Sequence, residues 1–280
     1  GLCRCRKTDG RDMTTRKGPI RIVGLFPSLL STYGDNGNVR ILEQRARWRD
    51  LPVEVTWIDR GADVPVDHDI YVLGGGEDAP QARAARELRA SGALDRAVAG
   101  GAVVLAVCAG FQILGHEFPV AGNKPEPGLG LLDVTTHRVE RPRMVGELVA
   151  SCPLLGSDLL LGYENHAGAT RLHDRAEALG TVTRGSGNGF DDLEGAVAGH
   201  VVGTYAHGPA LARNPRLADQ LLAWALGCEP TQLAPARGAP GARRALAVRR
   251  CGPVRTRVPP PSARRPCRPC RRVASRPRSG

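Results

Sequence analysis

Ala102-Val-Val-Leu-Ala-Val107-Cys108-Ala109-Gly110-Phe-Gln-Ile-Leu-Gly115 is the stretch whose reading decides the fold. An apolar run ends at a thiol, and small residues follow at once. A short apolar run bounded by glycine reads as a buried strand. The residues after Cys108 can open a helix. A strand that turns sharply into a helix sets the residue at the turn in an exposed, strained position, as the G-x-S-x-G elbow does for serine. Ala106 and Gly110, two places to either side, leave room for so tight a turn. The nucleophile would then be sulfur. Free N–H groups at a helix start favour a thiolate and can also hold an oxyanion. The competing reading is a buried structural cysteine, since free Cys is among the most buried residue types.

Outward from this elbow the pattern alternates. Residues 20–26, 53–58 and 69–73 read as strands, and residues 39–49 and 79–99 as helices. Residues 143–150, 159–163, 179–183 and 200–205 read as shorter strands. A closing helix over 215–226 carries Leu217, Leu221, Leu222 and Ala225 on one face. Strands alternating with helices predict an α/β fold with a mainly parallel sheet flanked by helices. Ligands in such sheets bind beyond the carboxyl ends of strands. Cys108 and Gly74-Gly-Gly76 both fall at such ends.

The chain has 280 residues and a formal net charge of +11. A charge of that sign invites a nucleic-acid reading, but its location argues against one. Residues 229–280 carry +13, residues 1–17 carry +4, and the stretch 18–228 between them carries −6. The expected globular domain is therefore residues 18–228, and it is mildly acidic. Residues 1–17 read as a disordered or non-native extension, with Met13 a plausible start. The 229–280 tail holds 14 arginines, no lysine and no aromatic residue. Such a segment cannot bury enough surface to order itself. It reads as a basic arm, a solvated linker or an out-of-frame translation of GC-rich DNA.

Of eight cysteines, Cys3, Cys5, Cys251, Cys267 and Cys270 fall in these ends. Cys108, Cys152 and Cys228 stand singly, a usage that suits a reducing cytosol. No zinc pattern is complete, so no metal is expected. No apolar h-region or run of 18 apolar residues occurs, so neither a secretory signal nor a membrane span is expected.

The glycine triplet fits neither a P-loop nor a dinucleotide fingerprint. Beside a nucleophile its N–H groups could serve as oxyanion donors. A thiol also needs a base, and imidazole titrates in the right range. His207 sits at the end of a strand, before Gly208-Pro209. It ranks ahead of His116, His166 and His200, which read as structural, and of His68, His137 and His173, which read as solvated.

Together these pieces resemble class I glutamine amidotransferases, in the cobyric-acid-synthase-like branch. The carrying stretches are Tyr33-Gly-Asp-Asn-Gly-Asn38, Leu73-Gly-Gly-Gly-Glu-Asp78, Val107-Cys-Ala-Gly-Phe-Gln-Ile-Leu-Gly115, Gly128-Leu-Gly-Leu-Leu-Asp133, Gly162-Tyr-Glu-Asn-His-Ala-Gly168 and Gly203-Thr-Tyr-Ala-His-Gly-Pro209. The first and the Glu-Asn-His pieces point to glutaminase subunits of lipid II isoglutaminyl synthase. The resemblance implies a flavodoxin-like sheet, L-glutamine as substrate and a Cys108 thioester. It makes His207 the proton carrier, the N–H groups of Gly75 and Ala109 the oxyanion donors, and Arg143 the binder of the glutamine carboxylate.

The same resemblance implies no cofactor in this chain and a cytoplasmic place near the inner membrane face. The partner would be a MurT-like Mur-ligase subunit that uses ATP and Mg²⁺ to activate the D-glutamate α-carboxylate of lipid II. Many class I enzymes carry Glu two residues after the histidine. Pro209 stands there, so the motif supplies no third member and a Cys–His dyad is expected. Asp35 and Asn38 read as helix caps or turn formers, and Glu164 as an orienting or loop-holding group. Two rival readings stay open: a glutaminase for a cobyrinate-type synthetase, and a non-catalytic binding module with a basic nucleic-acid arm.

Overall fold

The computed structural model describes residues 18–121, 124–140 and 142–237. The expectations for residues 1–17 and for the tail beyond Arg237, including its cysteines, lie outside the described residues. In chain order the elements are β1 (Ile20–Leu25), α1 (Gly37–Arg47), β2 (Val53–Ile58), β3 (Ile70–Leu73), α2 (Asp78–Ser91), α3 (Ala93–Ala99), β4 (Val103–Val107) and α4 (Ala109–Leu114). Then come β5 (Glu117–Val120), β6 (Lys124–Pro127), β7 (Val134–Arg138), β8 (Met144–Ser151), β9 (Leu159–His166), β10 (Gly168–Leu172) and β11 (Gly180–Arg184). The chain closes with β12 (Leu193–Glu194), β13 (Ala196–Ala198), β14 (Val201–Thr204), α5 (Ala210–Arg213) and α6 (Pro215–Leu226).

Six strands form the main sheet in the order β13-β14-β4-β3-β1-β2, parallel throughout except for the edge pair β13–β14. Its central strands β3 and β4 are buried on both faces, as a sheet covered on two sides requires. Alternate residues enter opposite cores. Val23, Tyr71, Leu73, Val104 and Ala106 join the core under α2, α3 and α4. Ile22, Ile70, Val72, Val103 and Leu105 join the core under α1 and α6. From α6, the expected residues Leu217, Leu221 and Leu222 are fully buried and Ala225 packs at the edge.

The helix expected over 79–99 is two helices. Gly92 adopts a left-handed φ of 57° and its N–H closes α2 on the Leu88 carbonyl at 2.9 Å. A glycine in that conformation ends one helix at little cost. The closing helix ends the same way at Gly227. Past Cys228 the chain stays placed to Arg237, nine residues beyond the expected limit at 228. Leu233 packs on the α6 core, and the Arg237 N–H donates to the Trp48 carbonyl at 2.7 Å.

Between α4 and β13 lies antiparallel structure, a β12-β11-β8-β9 sheet and two strand pairs, β7–β10 and β5–β6. The two pairs are absent from the sequence reading because their short strands carry little apolar alternation. This region matters because β9 reaches the main sheet. Tyr163 and His207 exchange backbone hydrogen bonds of 2.8 and 3.4 Å. Among the described residues no helix is long and apolar enough to cross a membrane.

Candidate active site

Cys108 caps α4 with φ 50° and ψ −104°, a conformation that side-chain-bearing residues rarely adopt. Such strain costs of order 1–3 kcal/mol and persists only where the surroundings impose it. Here they do. The Cys108 N–H donates to the Thr204 carbonyl of β14 at 2.8 Å, and the Gly110 N–H to Gly74 at 3.1 Å. A Cβ on Gly110 would lie 2.7 Å from that of Leu73, so the turn requires glycine there. The elbow read from the sequence is present, but its residue is buried and not exposed: Cys108 is 8% accessible. With only six residues, α4 offers the free N–H groups of its first turn more than a long-helix dipole. Burial raises the thiol pKa of Cys152 and of Cys228, which disfavours the thiolate at both.

His207 follows β14 and is buried. Its Nδ1 pairs with Asp35 Oδ2 at 2.9 Å, while Nε2 has no hydrogen bond of ordinary geometry. Burial pushes the ring's pKa down, but the Asp35 hydrogen bond and the neighbouring Cys108 sulfur outweigh it, and the pKa ends well above the usual imidazole range. The His207 ring therefore keeps its proton over a wider range of pH than an ordinary imidazole. The Asp35 hydrogen bond is the largest of the raising effects; it holds the Nδ1 proton and leaves Nε2 for chemistry.

Asp35 corrects the sequence reading in two ways. It lies in the turn before α1 but is not its cap: the N-cap of α1 is Asn36, with no side-chain cap. It is the third member that the motif after His207 lacked. Pro209 stands where other enzymes carry Glu, and it packs so closely on Gly37 that a Cβ there would lie 2.3 Å from its ring. The Tyr33–Asn38 turn is thereby pressed against the histidine loop, and Asp35 enters from it. Asn38 helps, accepting from the Leu211 N–H at 2.9 Å. Glu164 does not orient His207. Burial pushes its carboxyl up, but neighbouring His166 and the N–H groups of Gly187 and Ser186, from which it accepts, outweigh that and hold it low.

Gly75 is a second correction. Its N–H donates to Asp35 Oδ2 at 2.8 Å, so it is not free to serve an oxyanion. The glycine is needed for space instead, since a Cβ there would lie 2.6 Å from His207 Cε1. The Ala109 N–H precedes the first intrahelical bond, and Ala109 lines the same cleft as Cys108 and Gly76. That cleft has a volume of about 410 Å³ and includes Gln81, Gln112 and Arg143. Arg143 thus opens on the cavity that holds the thiol. Its Nε and Nη2 donate to Asn165.

Behind the elbow, buried Glu194 accepts from Thr204 Oγ1 at 2.5 Å and the Tyr205 N–H at 2.9 Å, which braces the end of β14 that leads to His207 and accepts from the Cys108 N–H. Burial raises its pKa from 4.5 to about 7. The folded chain therefore holds a proton that the unfolded chain releases above about pH 4.5. The stability this proton confers is intact in acid and is lost as pH rises from about 4.5 to 7, a span of about 3 kcal/mol. Glu194→Gln is expected to flatten that slope, read as melting temperature against pH. An unchanged slope would show that folding does not raise the Glu194 pKa.

A family model described as a CobB/CobQ-like glutamine amidotransferase domain matches residues 21–215. The subunit GatD of lipid II isoglutaminyl synthase (glutamine-hydrolyzing) from Streptococcus pneumoniae is 36% identical over 210 residues, 74% of this chain and 80% of that one. Its counterpart from Staphylococcus aureus is 37% identical over 206 residues, 72% and 83%. A solved glutamine amidotransferase with 20% identity superposes with a TM-score of 0.50 over 72% of this chain and 98% of its own, a likeness of fold.

Proposed function

The chain belongs to the CobB/CobQ-like glutamine amidotransferase family, and from that premise we propose that it is the glutaminase subunit of a lipid II isoglutaminyl synthase. It hydrolyses L-glutamine at Cys108 and hands ammonia to a MurT-like, ATP- and Mg²⁺-dependent Mur-ligase subunit. That partner amidates the D-glutamate α-carboxylate of lipid II. The observation that carries the glutaminase chemistry is Asp35–His207 set against a strained Cys108 in a cleft shared with Arg143. The acceptor is supported by the two GatD relatives, which are named as subunits of that synthase.

The proposed steps are consistent with the geometry. The Arg143 guanidinium pairs with the glutamine α-carboxylate and sets the side-chain amide at the sulfur. The Cys108 thiolate attacks the amide carbon. The Ala109 N–H stabilises the tetrahedral oxyanion, a donor of the kind worth about 10²–10³ in rate. His207 gives its Nε2 proton to the leaving nitrogen, and ammonia departs from a γ-glutamyl thioester. The neutral ring then takes a proton from water, whose oxygen attacks the thioester carbonyl. Glutamate leaves, and the thiolate and imidazolium return.

Ammonia release should be assayed with the chain alone, with a Mur-ligase-type subunit and with a cobyrinate-type synthetase. Amidated lipid II is expected only with the Mur-ligase type. Amidation only of a cobyrinate-type acceptor would move the chain to that system. Absence of hydrolysis in every combination would favour a binding module.

A further inference from the structure

Two sequence motifs meet at a place the triad does not use. Tyr33 belongs to the turn that delivers Asp35, and Asn165 lies on β9 in the Glu-Asn-His stretch. Asn165 Nδ2 donates to the Tyr33 hydroxyl. Asn165 Oδ1 accepts from Arg143 Nε, and the Asn165 carbonyl accepts from Arg143 Nη2 at 3.0 Å. The Tyr33 ring stands edge-on to the His207 ring, with centroids 5.0 Å apart and planes at 71°. Its backbone is held at φ 62°, a left-handed value unusual for an aromatic residue. Adjacent Thr32 is pinned to Gly75 by a 3.1 Å hydrogen bond. The turn is thus fixed in a strained form that lays the ring on the catalytic imidazole.

We propose that Tyr33 and Asn165 form a strap that presets Arg143 for the glutamine α-carboxylate while covering the outer side of His207. The inference rests on the glutaminase reading above. The Nε–Nη2 edge of the guanidinium is filled by Asn165, which leaves the Nη1 edge to meet a carboxylate. An exposed arginine otherwise loses rotamer freedom when it binds, and ordering it beforehand removes part of that cost. The Tyr33 hydroxyl sets which way the Asn165 amide points. It takes the NH₂ group, so the carbonyl oxygen faces Arg143. Without the hydroxyl the amide can turn and present donors to a cation, which repels it. Tyr33 and Asn165 are positioning residues for affinity, and the Tyr33 ring adds packing against the base.

Steady-state hydrolysis by the full chain, alone or with its synthetase, tests this. Tyr33→Phe and Asn165→Ala are each expected to raise KM for L-glutamine about fivefold to tenfold, the loss of one hydrogen bond, with kcat within about twofold. The double variant should be no worse than the weaker single one, because both break the same strap. Tyr33→Ala should lower kcat as well, since it removes the ring. Calorimetric binding of L-glutamine to the Cys108→Ala chain should weaken by the same factor when Tyr33→Phe is added. Unchanged KM and Kd in Tyr33→Phe, or fully additive effects in the double variant, would overturn the strap. A wild-type chain that neither binds nor hydrolyses glutamine would instead remove the glutaminase reading itself.

Discussion

Cys108→Ala is expected to reduce glutamine hydrolysis by about 10⁴–10⁶-fold, to the level left by binding and oxyanion contacts alone. The size follows from the covalent route. Without sulfur there is no thioester, and water must attack an unactivated amide directly. The substitution should leave the fold intact. Alanine keeps the same Cβ at φ 50°, so it adds no backbone strain to the elbow. Removing one buried sulfur atom at the edge of the core costs stability that is small beside the kinetic loss. Glutamine binding through Arg143 should survive. Ammonia release at known glutamine concentration, with circular dichroism as the folding check, separates these effects. A binding module would show no rate to lose.

Asp35→Ala is the second large effect, a drop of about 10³–10⁴ in kcat. One carboxylate oxygen accepts from both His207 Nδ1 and the Gly75 N–H, at 2.9 and 2.8 Å. Alanine leaves both donors buried and unpaired, at about 1–3 kcal/mol each, and frees the imidazole to take the wrong tautomer. Asp35→Asn separates charge from geometry, because an amide oxygen can still accept from both donors. The pH profile carries the sign. Asp35 raises the His207 pKa, so the imidazolium survives to higher pH in the wild type. Without the carboxylate the imidazolium is lost earlier. The alkaline limb of kcat/KM should then move toward lower pH in Asp35→Asn. An unmoved limb, with kcat near wild type, would show that the aspartate is structural only.

The elbow was legible because strand burial, small flanking residues and a single thiol coincide over a dozen residues. His207 could be named because it stands at a strand terminus in a recognisable motif, whereas Arg143 was named through the family resemblance alone; it lines the cleft of Cys108. Asp35 was not legible. It lies 172 residues from His207, and a short Asp-Asn-Gly turn has the chemistry of any loop. The signal that could have found it was present: Pro209 vacates the usual place for an acid, and the Tyr33–Asn38 motif holds an unassigned one. Gly75 was assigned as a donor because a glycine triplet at a strand end presents several N–H groups. Which of them is free depends on a carboxylate from another part of the chain. The break at Gly92 is a local exception to a strong helical period. The β5–β6 and β7–β10 pairs lack the apolar alternation that marks a strand.

The most direct measurement is mass spectrometry of the full chain, acid-quenched during turnover of L-glutamine. A mass gain of one γ-glutamyl group on the peptide containing Cys108, absent in Cys108→Ala and increased when His207 is replaced by a group that slows hydrolysis more than attack, is the predicted result. Turnover at the wild-type rate in Cys108→Ala, or a γ-glutamyl group carried on another residue, would contradict it.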